Sequence, residues 1–364
     1  MLLRPTWVEF DAEAVAHNAR RLKQIIGGRS TLMAVVKADG YGHGAVRVAQ
    51  AALAGGAAQL AVANLEEATI LRDAGIDAPI LLLGYADPAA IPHVLARAVT
   101  ITVYDAALAA EHDRQARAAG KRLPIHVKID TGMGRLGMLP AEALDFLREL
   151  PTLTHLRLEG IYTHFSMADE DGEYTRLQLQ RLREVVERAG LHGITWHAAN
   201  SAATLALPDS HLDLVRVGLA LYGLAPSEAV PVPADFRPAL SWKTVIASVK
   251  TLPPGHPVGY GNTYVTEGEE RIAVLPVGYA DGFRRAPAHY GEVLVRGVRA
   301  PIVGRVSMEK TMIRVDHIPD AAIGDEVVLL GAQGMERITA EQVARCLGTI
   351  NYEVVCTLLP RISR

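Results

Sequence analysis

The sequence predicts an α/β protein. Residues 8–230 read as an N-terminal (β/α)8 TIM-like barrel, and residues 231–364 as a mainly antiparallel β domain joined by residues 1–7. Three observations predict this. Over the first two-thirds of the chain, short continuous apolar runs alternate with amphipathic helical stretches. A proline-rich segment, PSEAVPVPADFRPAL from Pro226, then breaks the rhythm. Beyond it, apolar runs follow one another with few helices between them.

Trp7 to Phe10 reads as a strand, and Asp11 can cap a helix that runs to about Ile26 and ends at Gly27-Gly28. TLMAVVK is the next strand, followed by the helix AVRVAQAALAGG. LAVAN precedes LEEATILRDAG, and PILLLG precedes a helical stretch around Ile91 to Arg97. VTITVY leads into DAALAAEHDRQARAAG, PIHVKID into PAEALDFLREL, and LEGIYTHFS into YTRLQLQRLREVVERAG. ITWHAAN is followed by a short helical turn after Ser201, and LDLVRVGLALYGL closes the series near Leu224. Strands this uniformly apolar are buried on both faces beneath helices. A doubly wound open sheet gives the same pattern, but so many units favour a closed barrel. After the proline-rich segment come WKTVIASVKTL, RIAVLPVGYA, EVLVRGVRAPIVGRVS, TMIRVDHI and DEVVLLG, with one helix near Ala340 to Leu347.

A net charge of −3 over 364 residues gives no reason to expect nucleic acid or an anionic membrane as partner. Cys346 and Cys356 are the only cysteines, so no disulfide framework is indicated and a reducing, cytoplasmic setting is expected. The N-terminus carries Arg4, Glu9 and Asp11 and does not read as a signal peptide. No apolar run is long enough for a membrane span.

Functional groups of an α/β barrel sit at the C-terminal ends of its strands. Lys37, Lys128, His164, Asn200 and Arg216 all occupy such ends. Any one of them alone reads as a surface or helix-capping residue, whereas five together should converge in space. A lysine desolvated at a strand end has a lowered pKa and can form a Schiff base, for which pyridoxal phosphate is the commonest reason. A lysine snorkelling to solvent at the barrel rim is the plainer reading. Composition leaves both open.

AVVKADGYGHGA, around Lys37, resembles the cofactor-lysine signature of alanine racemases. HVKIDTGMGRLG, IYTHFSMAD, HAANSAAT, VRVGLALYGL, VGYGNTYV, PVGYADG, GRVSMEKTMI and INYEV resemble that family's motifs in the same order, from Trp7 to Arg361. The resemblance implies a barrel, a C-terminal β domain and a homodimer with shared active sites. It also implies pyridoxal 5'-phosphate as cofactor, no metal, and interconversion of L- and D-alanine for cell-wall peptidoglycan. Lys37 resembles the lysine that binds the cofactor covalently. Tyr41, Ser201, Tyr352 and the backbone of Gly218 and Leu219 resemble its phosphate cradle, with His164 and Asn200 also at the cofactor. Arg216 resembles the arginine facing the pyridine nitrogen; pairing with Asp213 is the structural alternative. Tyr260 resembles the second base, on a chain Tyr260–His164–Arg216. Arg135 and the backbone at Met308 resemble the substrate-carboxylate contacts, and Lys128 a lysine often carbamylated in the family. Tyr279 and Tyr352 resemble tyrosines that narrow the substrate entry.

One motif departs from the family. The usual Met-Asp-Gln reads Met308-Glu309-Lys310 here, which adds a methylene and a positive charge near the expected entrance. Other readings fit less well. A barrel-type amino-acid decarboxylase would carry a triple-glycine loop and a Gly-x-x-Cys-Asp segment, and neither is present. A single-domain cofactor carrier would lack the β domain and Tyr260. A dinucleotide binder would need a different glycine spacing. A racemase of broader specificity, acting on serine or lysine, remains the alternative.

Overall fold

The computed structural model describes residues 4–286 and 288–363. They divide into two compact units, residues 12–238 and the described residues on either side of them. Strand β1 (Thr6–Phe10) stands apart from the eight strands that follow it. β2 (Thr31–Val35), β3 (Gln59–Val62), β4 (Ile80–Leu82), β5 (Val99–Val103), β6 (Leu123–Lys128), β7 (Leu156–Tyr162), β8 (Thr195–His197) and β9 (Leu214–Val217) close into a parallel barrel. β2 returns to pair with β9, so the open-sheet alternative is excluded.

The helices between these strands start where short polar side chains can accept from the first turn. Asn64 accepts from the Glu67 amide at 3.0 Å, Asp105 from Leu108 at 2.7 Å, and Asp171 from Glu173 and Tyr174 at 2.9 Å. Barrel closure also rearranges the five polar strand ends. They lie at the ends of β6, β7, β8, β9 and β2; the first four follow one another in sequence, and closure brings β2 beside β9.

The barrel's middle is not wholly apolar. Thr102, His126, Tyr162, His197 and Arg216 are all buried there. A β-bulge makes room for one of them. Ile125 pairs with Leu158 and His126 with Gly160, so Glu159 is the extra residue on β7. The His126 ring lies against Gly160, where an added Cβ would come 2.7 Å from ring atoms.

The second unit holds β10 (Leu240–Val245), β11 (Ser248–Leu252), β12 (Pro257–Val258), β13 (Tyr264–Val265), β14 (Glu270–Leu275), β15 (Glu292–Val295), β16 (Val298–Pro301), β17 (Thr311–Arg314), β18 (Glu326–Gln333) and β19 (Glu336–Ile338). Its main sheet runs β1-β10-β18-β15-β16, with β19 on β18, and every pairing between these strands is antiparallel. β1 thus belongs here and not to the series it opens in sequence. Its residues alternate between buried and exposed, as a strand with one packed face does. Trp242 anchors the core, edge-on to Phe283 at 5.5 Å and to Tyr290 at 6.0 Å. The helix at Ala340–Leu347 is followed by a second, Asn351–Cys356, too short to show a helical period in sequence. No helix among the described residues is long and apolar enough to cross a membrane.

Gly160→Ala should force the His126 ring out of place and cost about 1–3 kcal/mol. Gly28→Ala, where an added Cβ meets nothing within 4 Å, should change stability by less than about 0.5 kcal/mol. Denaturant unfolding of both variants checks this. Equal effects would show that the bulge does not serve the ring.

Candidate active site

Strand β2 delivers Lys37 to the barrel mouth, and the backbone then turns the unusual way. Ala38, Asp39, Gly40 and Tyr41 have φ of 53°, 52°, 61° and 53°, a single left-handed turn closed by Gly42 N–H donating to the Ala38 carbonyl at 3.0 Å. Each residue there other than glycine costs roughly 1–2 kcal/mol. Local bonds hold the turn in place. Glu67 accepts from the amides of Ala38 and Ala63, both at 2.7 Å, and Asp39 accepts from the Ala45 amide at 2.9 Å. The turn carries the Tyr41 ring to 4.8 Å from Tyr222 and against Gly218. An added Cβ at Gly218 would lie 2.4 Å from the Tyr41 hydroxyl, so only glycine lets the two approach.

Arg216, on β9, is buried beside the C-terminal ends of β7 and β8. It donates to the carbonyls of Thr163 and Ala198 at 2.8 and 2.9 Å, to His197 Nδ1 at 2.8 Å and to His164 Nδ1 at 3.3 Å. It does not pair with Asp213, which instead accepts from the Trp196 amide. A guanidinium can only donate, so both Nδ1 atoms are acceptors and each imidazole carries its proton on Nε2. His197 Nε2 then donates to His126 Nδ1 at 2.8 Å. Tyr162 stacks on His197 with ring centroids 4.6 Å apart, and the Arg216 guanidinium lies 5.0 Å from the Tyr162 centroid. Burial, then the charge of Arg216, pulls His197 and His164 well below the usual histidine range and His126 down to about 4. Burial also lowers Arg216, to about 10, which still leaves it charged at neutral pH.

More positive charge gathers around it. Lys128, at the end of β6, is lowered to about 8 by burial and by the charges of Arg135, Arg216 and Lys37, against an opposing pull from Asp130. The charges of Lys128, Arg135 and Lys37 also act on His164. Four cations therefore share one neighbourhood. Arg135 rides on a loop wound around Asp130, which accepts from the amides of Gly132, Met133 and Gly134 at 2.9, 2.8 and 3.2 Å. Burial raises the Asp130 pKa, but these bonds outweigh it and hold the carboxyl below its usual range.

The residues at this mouth suit a phosphate. Ser201 Oγ accepts from the amides of Gly218 and Ala220 at 3.1 and 3.3 Å, so both its lone pairs are taken and its hydrogen is left to donate. The Gly218 N–H is thus given to Ser201, while Leu219 begins a helical turn whose first N–H has no partner within the turn. The Tyr41 hydroxyl completes a donor set beside Gly218. Asn200 caps the next helix, accepting from the Ala203 amide at 3.0 Å.

The remaining candidates lie on the other unit. Tyr260 sits in a short turn with 66% of its surface exposed, and the Arg285 guanidinium lies 5.9 Å from its ring centroid. Met308 is also exposed, and its carbonyl accepts from the Ala280 amide beside Tyr279. Tyr352 is partly buried on the helix Asn351–Cys356. Glu309 faces the two ends of the described chain. It accepts both guanidinium nitrogens of Arg361 at 2.9 and 3.0 Å and Arg4 at 3.2 Å, and Arg4 also pairs with the buried Asp281. Lys310 beside it is exposed.

Sequence reasoning missed Glu67, His126, Tyr162 and His197. For His126 and His197 the signal available was a polar residue inside an apolar run, as in PIHVKID and ITWHAAN.

A closed parallel barrel with a strand-end lysine, a donor-lined mouth and three further cations defines a barrel protein with a cationic mouth suited to an anionic ligand. The chain belongs to the alanine racemase family: residues 10–226 match its N-terminal domain and residues 239–364 its C-terminal domain. It is 47% identical to the alanine racemase of Symbiobacterium thermophilum, over all of this chain and 97% of the relative. The Bacillus anthracis alanine racemase with bound L-Ala-P superposes with a TM-score of 0.94 at 40% identity, covering 100% of this chain and 95% of that one. A histidine racemase from Leuconostoc mesenteroides superposes at 0.91 with 27% identity, covering 100% and 98%.

Three histidines held below the usual range, His126, His164 and His197, make stability depend on acid. Their folded pKa values lie below the unfolded value of about 6.5, so the unfolded chain binds more protons as pH falls. Stability should be full above about pH 6.5 and decline below it, by up to ~1.4 kcal/mol per pH unit for each histidine. The His126 share should level off below about 4. Urea unfolding across this range checks it. A flat profile would mean that these rings are not held neutral.

Proposed function

We propose that the chain interconverts L-alanine and D-alanine with pyridoxal 5'-phosphate held through Lys37 Nζ, in a cytoplasmic setting, supplying D-alanine for peptidoglycan. The observation that carries this is the gathering of Lys37, Lys128, Arg135 and Arg216 at one barrel mouth, with Asp130 opposing them. Such a mouth suits ligands that bring negative charge, here a phosphate and a carboxylate. When bound, the cofactor supplies the electron sink that makes the substrate's α-proton removable.

The chain's own residues do the rest. Tyr41, Ser201 and the Leu219 N–H hold the phosphate, with Tyr352 and the segment Asn200–Gly218 around it. Arg216 donates a hydrogen bond to the ring nitrogen without surrendering its proton. Lys37 Nζ moves the α-proton on one face of the substrate carbon and Tyr260 Oη moves it on the other. Neutral His164, fixed by Arg216, donates toward Tyr260 from Nε2. Arg135 and the Met308 amide orient the carboxylate. Lys128, lowered to about 8, has enough neutral amine to take up carbon dioxide. An N–C bond forms, a proton leaves, and the resulting carbamate anion steadies Arg135.

The exposure of Tyr260 and Met308 on a single chain supports a homodimer in which these residues serve the partner's barrel. A broader racemase is the second reading, favoured by the likeness to a histidine racemase. An entry narrowed by Tyr279 and Tyr352 would favour alanine, although a methylene separates substrates by only ~1–3 kcal/mol.

Borohydride reduction of the holoenzyme and peptide mapping should place the pyridoxyl group on Lys37. A label on another lysine would overturn the assignment. The same preparation should turn over alanine faster than serine, lysine or histidine, and equal rates would favour the broader reading.

Mixing Lys37→Ala with Tyr260→Phe protein and letting subunits exchange tests the shared site. In a hybrid dimer one site carries both lesions and the other neither. Random exchange makes about half the dimers hybrid, so activity should return to roughly a quarter of wild type. Confirmed exchange with no recovery would mean that each chain uses its own Tyr260.

A further inference from the structure

The helix Gly172–Ala189 turns a polar edge toward two loops that the proposed chemistry uses for different purposes. Tyr174, Gln178 and Arg181 are spaced i, i+4, i+7 and so share one face. The Tyr174 hydroxyl donates to the Gly132 carbonyl at 3.0 Å, and Arg181 Nη1 donates to the Thr131 carbonyl at 2.7 Å. Both bonds hold the loop that carries Arg135.

Gln178 reaches further. Its Oε1 accepts from the Ser166 amide at 3.0 Å and the Ser166 hydroxyl at 3.2 Å. Its Nε2 donates to the His164 carbonyl at 3.2 Å and to Thr131 Oγ1 at 3.4 Å. The side chain is fully buried and all four hydrogen-bonding positions of its amide are used. Thr131 Oγ1 is also 2.7 Å from Thr163 Oγ1, so the bridge continues into the residue before His164. One amide thus ties the segment Thr163–Ser166 to the segment Thr131–Arg135.

We infer that Gln178 is a positioning residue that locks the Arg135 loop and the His164 loop into one unit. Grip on the substrate carboxylate and alignment of the His164 imidazole are then set together. This rests on the proposed roles of Arg135 and His164. A purely structural helix anchor would need only Tyr174 and Arg181 on the one loop. Gln178 spends three of its four bonds on the other, beside the imidazole that accepts from Arg216. A small loss of register would pass to both groups, and misplacement of reacting groups is costly in rate.

The test compares three variants of the holoenzyme. Gln178→Leu removes all four bonds, Gln178→Glu keeps the acceptors for Ser166 but loses both donors, and Tyr174→Phe removes only the bond to Gly132. Amide hydrogen exchange without substrate is read separately over residues 130–136 and 163–167, and KM and kcat for alanine are measured in both directions. Gln178→Leu should speed exchange in both segments, raise KM and lower kcat, each by roughly tenfold. Gln178→Glu should show the same double pattern, which keeps the test open if the leucine variant does not fold. Tyr174→Phe should speed exchange only in 130–136 and raise KM, with kcat within about twofold. The inference fails if either Gln178 variant folds with unchanged exchange in one of the two segments, or if its KM and kcat move no differently from those of Tyr174→Phe. Wild-type protein that does not racemise alanine would instead overturn the proposed function, and the exchange data would still judge the bridge.

Discussion

The site depends on a cation buried where a barrel normally packs hydrocarbon. Arg216 lies beside the C-terminal ends of β7 and β8, and its described bonds go to two carbonyls and two imidazole nitrogens. Removing a guanidinium from water is costly unless its donors are satisfied. Here carbonyl dipoles, imidazole lone pairs and the Tyr162 face do that work together. The consequences spread outward. His197 and His164 must present Nδ1 as acceptors, His126 must accept from His197, and Gly160 must leave space for the His126 ring. Protonating any of these rings would set a second cation against the first.

Strain at the mouth has the same character. A left-handed turn through Ala38, Asp39 and Tyr41 is unfavourable by itself, and it persists because Glu67, Asp39 and the following helix fix its ends. The result is a lysine at a rigid strand end with a tyrosine turned back beside Gly218. Rigidity and positive charge thus come from separate devices, a braced backbone turn and a buried network of donors. Both act on groups contributed by neighbouring strands of one barrel.

Much of this was legible in the sequence. The apolar rhythm gave the barrel because each run is long enough for a strand and each gap long enough for a helix. Lys37, Lys128, His164, Asn200 and Arg216 could be singled out because a polar residue closing an apolar run is visible without a structure. Their adjacency was not, since β2 meets β9 only when the barrel closes. In sequence β1 is split at residue 8 between the two domains for a related reason: its partner, β10, lies more than two hundred residues away, and a five-residue run does not reveal its partner. Gln178 looks like an ordinary helix residue until tertiary contacts surround it, and His126 stands out inside PIHVKID without revealing its partner. Glu309 is the converse case. Its departure from the family motif was evident, but its pairing with Arg361 and Arg4 follows from the path of the chain ends.

Arg216 fixes neutral, Nε2-protonated imidazoles around itself. Nitrogen-15 NMR of histidine-labelled protein tests it most directly, with the His197 signals assigned by their loss in His197→Gln. At about pH 6, where an ordinary histidine is largely protonated, His197 should show one unprotonated nitrogen, Nδ1, and one protonated nitrogen, Nε2. Two protonated nitrogens, or a proton on Nδ1, would contradict the account.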